Sequence, residues 1–108
     1  MELSTEDRKL VTLAKATRAR IGAAEGAAIR DNDGRTYAAA TVSLPSLELS
    51  AIQVCVAMAV ASGSRGLEAA VVLGDATELA APDRAVLRDF GGDGVVVHLG
   101  DGQGRLDQ

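Results

Sequence analysis

The sequence predicts an α/β protein in which a mixed sheet of about four strands lies between helices, in the order αββαβαβ. Three observations carry this prediction. Apolar residues recur at helical spacing near the N-terminus, an Asn32-Asp33-Gly34 turn separates two short β-rich stretches, and an unbroken apolar run over residues 67–73 stands between two further helical patterns.

Each element has its own local cause. Ser4-Thr5-Glu6-Asp7 reads as a capping box, with Ser4 offering its hydroxyl to the third amide and Asp7 complementing the helix dipole. Leu10, Leu13, Ala14, Thr17 and Ile21 follow at helical period, giving a first helix over residues 5–20 with Gly22 as its stop. Residues 26–30 and 35–42 are the strands of a hairpin, joined where Gly34 accepts positive φ. Pro45 breaks the chain, and Ser46 offers a cap for a second helix over residues 47–61, opening at Leu47 and closing at Ala61. From Leu49 to Ser62 that segment holds no charge and is apolar on every face, so it should be covered on both sides, by the sheet and by another element or subunit. Residues 67–73 suit a buried strand. Pro82 and Gly91-Gly92 bracket a third helix over residues 83–90, and residues 94–99 form the last strand. The tail, residues 100–108, is rich in Gly and Asp and is expected to be loosely held. No internal repeat stands out. Connectivity of this kind gives an antiparallel hairpin joined to parallel strands with helices on both faces, a three-layer α/β/α arrangement.

The 108 residues are read as a single domain, 1–108. A composition of 47% hydrophobic and 24% charged residues is that of a globular protein. Only 2% are aromatic, so the core is built from small side chains that bury little area each, a deficit that subunit contacts commonly make up. The net charge of −4 argues against a nucleic-acid binder. The basic residues Arg8, Lys9, Lys15, Arg18 and Arg20 share the first helix with Glu6 and Asp7 and read as a solvated face. A single cysteine, Cys55, excludes an intrachain disulfide and any metal site built on several thiolates. The start, Met1-Glu2-Leu3-Ser4, has no leader-like apolar run, and no stretch reaches the roughly 18 apolar residues of a membrane span. The expectation is a cytoplasmic protein without membrane contact.

Gly26-Ala27-Ala28 followed by Asp33-Gly34, the strand from Tyr37 to Ser43, the phrase Ala59-Val60-Ala61-Ser62-Gly63 and the phrase Val86-Leu87-Arg88-Asp89-Phe90-Gly91 together resemble the small cytidine deaminases. The resemblance covers residues 8–101 and implies the cytidine deaminase-like three-layer fold. It also implies where the chemistry should lie, and there the sequence departs from the family. The family's Cys-Ala-Glu-Arg, which supplies a zinc ligand and the proton-shuttling acid, reads Ser50-Ala51-Ile52-Gln53 here. Its Pro-Cys-x-x-Cys, which supplies the other two ligands, reads Leu79-Ala80-Ala81-Pro82-Asp83. Its ribose-gripping Asn-x-Glu-Asn reads Thr41-Val42-Ser43-Leu44, and its Pro-Tyr-Ser-x-Phe has no counterpart in residues 18–25.

A hydroxyl at Ser50, a methyl at Ala80 and one carboxylate at Asp83 do not replace three zinc ligands. Nor can Ile52 move a proton, and losing a positioned acid–base group costs on the order of 10²–10⁴ in rate. Sliding the register so that Cys55 becomes the ligand places Ala57 at the acid's position, so the acid stays missing. No cofactor is expected. Cys55, in mid-helix among Val54, Val56 and Met58, reads as core. His98 at the end of the last strand, beside Asp101, reads as a strand-end histidine; the two are also the one base–orienter pair that a hydrolase could use. Asp75, Glu78, Asp83 and Asp89 read as an acidic rim favoured by a helix N-terminus.

The leading expectation is a catalytically silent relative of the deaminases, a homo-oligomer (dimer or tetramer) formed through the helix over residues 47–61 and serving as a scaffold or protein-interaction module. The alternative is a binding module for a nucleoside or similar polar ligand, in a degenerate pocket lined by Thr41, Ser43, Ser50, Ile52 and Leu79. A divergent deaminase or hydrolase comes third.

Overall fold

A computed structural model describes residues 3–106. Met1 and Glu2, on which part of the leader argument rests, and Asp107 and Gln108 of the tail lie outside the described residues. The first helix, α1 (Thr5–Ile21), is capped as its sequence dictates: Ser4 Oγ accepts from the Asp7 amide at 3.0 Å, and Gly22 closes the helix at φ 73°. Leu10, Ala14 and Thr17 are buried, whereas Leu13 and Ile21 are exposed, so the buried stripe is narrower than the apolar one. Strands β1 (Gly26–Asp31) and β2 (Thr36–Ala40) pair antiparallel. Gly26 lets α1 lie directly on β1, since a Cβ there would collide with the Ala14 carbonyl oxygen.

The structure departs from the sequence reading after β2. Val42–Leu44 (β3) and Leu47–Leu49 (β4) form a separate two-stranded antiparallel ribbon folded over Pro45 and Ser46. The second helix, α2, runs Ala51–Ala61 and so does not include residues 47–50. The reason is that Ser50 is the stronger start signal. Its Oγ accepts from the Gln53 amide at 3.1 Å, while Gln53 Oε1 accepts from the Ser50 amide at 2.9 Å, a reciprocal capping box that Ser46 cannot form. The expected long second strand also ends early, because Thr41 turns to Glu25: the Thr41 amide donates to the Glu25 carbonyl at 3.2 Å and its hydroxyl accepts from the Glu25 amide at 3.0 Å.

Strand β5 (Leu67–Leu73) pairs antiparallel with β1, and β6 (Val96–Gly100) pairs parallel with β5, giving the sheet order β2-β1-β5-β6. The crossover helix α3 (Ala81–Gly91) has Pro82 in its first turn, where a missing amide costs nothing. One face of the sheet packs Ala28, Ala69, Val71 and Leu73 against Leu10 and Ala14 of α1. The other packs Ala27, Ile29, Ala70 and Val72 against Ile52, Cys55, Val56 and Ala59 of α2 and Leu87 of α3. Among the described residues, eight of the eighteen buried apolar side chains are alanine, which makes this the low-volume core that the composition implied.

Residues 100–106, the described part of the Gly- and Asp-rich segment, form an ordered turn. Asp101-Gly102-Gln103-Gly104-Arg105 repeats the turn made by Asp31-Asn32-Asp33-Gly34-Arg35. In both, the leading Asp Oδ1 accepts from the amides two and four residues on, at 2.9 Å each. In both, its amide donates to the Arg carbonyl at 2.9 Å, and the glycine takes positive φ, 85° and 86°. The second copy of the turn brings Leu106 back to bridge Gly100 and pack against the α1 side of the core, so the segment is fastened through Leu106. No helix among the described residues is long and apolar enough to cross a membrane.

Candidate functional site

The N-terminal ends of α2 and α3 meet at two side chains 33 residues apart in sequence. Ser50 Oγ, the α2 cap, donates to Asp83 Oδ1 at 2.6 Å while accepting from the Gln53 amide. Asp83 is only 3% exposed and so does not belong to an acidic surface rim; Asp75, Glu78 and Asp89 are exposed. Ala80, the N-cap of α3, is exposed and makes no side-chain cap bond. Ile52 is fully buried in the core beneath, and Leu79 packs half-buried against the same cluster. The fold therefore brings positions 50 and 83 into contact and places Ile52 directly inside.

The five expected lining residues separate. Thr41, Ser43 and Ser50 line a cavity of about 300 Å³ together with Glu25, Val42, Glu48 and Leu49. Ile52 and Leu79 are not part of it: Ile52 belongs to the core, and Leu79 borders a different groove of about 360 Å³ between α3 and β6. Ile52 and Leu79 thus lie apart from the three polar residues, while Asp83 in the first turn of α3 turns its carboxylate to Ser50. Glu25 and Glu48 were not singled out from the sequence. Glu25 Oε1 accepts weakly from the Ala51 amide at 3.4 Å, next to the α2 cap. The available signal was the hairpin register, in which Gly26 faces Ala40 and Glu25 therefore faces Thr41. With two carboxylates and no cationic side chain in its lining, this cavity suits donors and cations over anions.

His98 and Asp101 do not pair. His98 Nε2 lies 2.9 Å from Asp7 Oδ2, and Arg30 Nη2 donates to Asp7 Oδ1 at 2.9 Å and Arg30 Nε to Glu68 at 2.8 Å. Burial pushes the Asp7 carboxyl up, but hydrogen bonds from His98 and Arg30 outweigh it and hold the group below the usual carboxylate range. Asp101 is instead taken up by its own turn, where the Arg105 amide lowers its pKa first of all and the Arg105 guanidinium binds at 3.0 Å. A base–orienter dyad of His98 and Asp101 is thus ruled out by geometry. Cys55 is fully buried, and burial pushes its thiol up to about 12, far from a nucleophile's range.

The zinc ion that the resemblance implies finds no matching donor set. Ala80 offers no donor, Ser50 has its proton committed to Asp83, and a lone carboxylate cannot complete a tetrahedral site. Among the described residues no three His, Cys, Asp or Glu side chains are grouped to hold a metal.

Residues 3–104 match the family model described as cytidine deaminase-like. Among solved structures, the chain is similar to the cytidine deaminase of Burkholderia pseudomallei, with a TM-score of 0.82 and 25% identity over 97% of this chain and 91% of that one. It is also similar to the cytidine deaminase of Mycobacterium tuberculosis (TM-score 0.75, 24% identity, 87% and 85% covered). The corresponding enzyme of Mycobacterium leprae gives 0.73 and 24%, with 89% and 87% covered. These last two likenesses show the fold alone. No curated protein matches the chain.

Proposed function

Because the chain belongs to the cytidine deaminase-like family, we propose that it works as a catalytically silent member, an oligomeric scaffold or protein-interaction module. One observation carries the reading. The positions where the resemblance puts zinc ligands and the catalytic acid hold Ser50, Ala80, Asp83 and Ile52, of which Ser50 and Asp83 bond to each other and Ile52 is core. Deamination needs an activated water and a positioned carboxylate to pass protons. Ile52 cannot pass them, and the one carboxylate of the set, Asp83, is buried and bonded to Ser50. Oligomerisation is supported by the outer face of α2. Ala57, Val60 and Ala61 are exposed there, Val60 to 53%, beside half-buried Val54 and Met58, and the helix carries no charge. A low-relief apolar face of this kind favours close approach of a second helix.

The test couples turnover to assembly. With zinc supplied, cytidine deamination should match the rate without protein, and sedimentation at micromolar concentration should give a dimer or tetramer. Turnover above background, or a monomer, would overturn the corresponding half of the proposal. Val60→Asp should dissociate the oligomer while leaving the far-ultraviolet spectrum unchanged.

A second reading is a binding module for a nucleoside or similar small polar ligand, favoured by the cavity that joins Thr41, Ser43 and Ser50. A ligand at 100 times its Kd raises stability by roughly 2.7 kcal/mol, so a thermal shift across nucleosides decides it.

A further inference from the structure

We propose that the Ser50–Asp83 hydrogen bond does the structural work a metal ion would do at this point of the fold, tying the start of α2 to the start of α3 without any metal. The inference rests on reading the chain as a silent deaminase relative. An ion held at positions 50, 80 and 83 would bridge the first turns of these two helices. In this chain the bridge is made by the side chains themselves.

Five observations carry it. Asp83 is 3% exposed, and a carboxylate is almost never buried to that degree unless something answers its charge. Among the described residues no Lys, Arg or His pairs with it. What answers it is a hydroxyl at 2.6 Å, a length typical of a charge-assisted bond, together with its place in the first turn of α3 and beside the cap of α2, where both helix dipoles present their positive ends. Among the described residues this is also the one side-chain hydrogen bond that joins the two helices, which otherwise meet through apolar contacts. Finally, Ser50 is used twice, since its proton goes to Asp83 and its lone pair to the Gln53 amide. A metal at this point would have to break a satisfied pair to bind.

The experiment has two arms, both on the full chain. In the first, Ser50→Ala, Asp83→Ala and the double variant are melted in a chelating buffer. The double variant should fall short of the summed single shifts by roughly 5 °C or more, since about 1 kcal/mol moves the melting point of a domain of this size by about 4–8 °C. Additive shifts would overturn the proposal, because a cap at Ser50 and an unrelated buried Asp83 give additivity. In the second arm, Ser50→Cys, Ala80→Cys and Asp83→Cys are combined. The parent should take up no zinc and melt alike with and without chelator. The cysteine variant should bind one zinc per chain and lose stability when the metal is removed. Uptake of one zinc per chain by the parent, abolished by Asp83→Ala, would overturn the proposal by making Asp83 a ligand. If the cysteine variant does not fold even with zinc, the first arm still decides. Neither arm reads oligomerisation or turnover, so failure of the scaffold reading and failure of this link remain distinguishable.

Discussion

Placing a carboxylate at position 52 asks whether the deaminase acid's position is still a site or has become core. Ile52 is fully buried among Cys55, Val56 and Leu87. Ile52→Glu first loses the burial of the apolar side chain, about 2 kcal/mol. It then sets an acid in apolar surroundings, where desolvation raises a carboxyl pKa by roughly 3 units, or about 4 kcal/mol. With the folded pKa raised above the unfolded one, the second penalty is absent where both states are protonated and grows as the pH climbs from about 4 to about 7. The total of about 6 kcal/mol at neutral pH approaches the whole stability of a domain of this size. Urea unfolding of parent and variant at about pH 4.5 and 7.5 reads it directly, with Ile52→Val, at about 1 kcal/mol, as the packing control. A gap between parent and variant that is the same at both pH values would refute the reasoning, because it would mean that position 52 opens to water as a working pocket does.

Three other expectations follow from the same structure. Cys55, with its thiol pushed up to about 12, should react with a thiol reagent near pH 8 about a thousandfold more slowly in the native state than in denaturant; equal rates would contradict its burial. Burial pushes the Asp31 carboxyl up, but bonds from Ser64 and the Arg35 and Asp33 amides outweigh it and hold its pKa low, so its stabilisation is present above the unfolded value and lost as pH falls through the lowered one. Asp31→Asn should therefore cost about 2 kcal/mol at neutral pH and flatten the acid limb of the stability curve below about pH 4. A double-mutant cycle between Asp7 and His98 should return about 1 kcal/mol of coupling, and one between Asp101 and His98 none; the reverse result would restore the sequence-adjacent pair.

The contrast between His98 and Asp101 shows what a sequence conveys and what it does not. Local patterns were legible because they act locally: Ser4 and Asp7, the Asn32-Asp33-Gly34 turn, the apolar run of β5 and the Pro82 start of α3 each fix a few neighbouring residues. His98 and Asp7 are 91 residues apart, and only the β5–β6 register, which sets His98 opposite Val71 on the α1 face, brings them together. The β3–β4 ribbon was hidden by two competing serine caps, and the reciprocal Ser50–Gln53 pair, readable as S-x-x-Q, was the signal that separates them. The turn over residues 101–105 was readable too, from the recurrence of an Asp-x-x-Gly-Arg pattern already present in the first hairpin. At the candidate site, the residue types at positions 50, 52, 80 and 83 were legible in the sequence. The burial of Asp83 and its bond to Ser50 required the packing of α2 against α3.

Native mass spectrometry of the protein as purified, with neither metal nor nucleoside added, tests the central claim most directly. The expected spectrum is a dimer or tetramer at the mass of its chains alone. A monomer, or an oligomer carrying one zinc or one nucleoside-sized adduct per chain, would contradict a silent, metal-free scaffold.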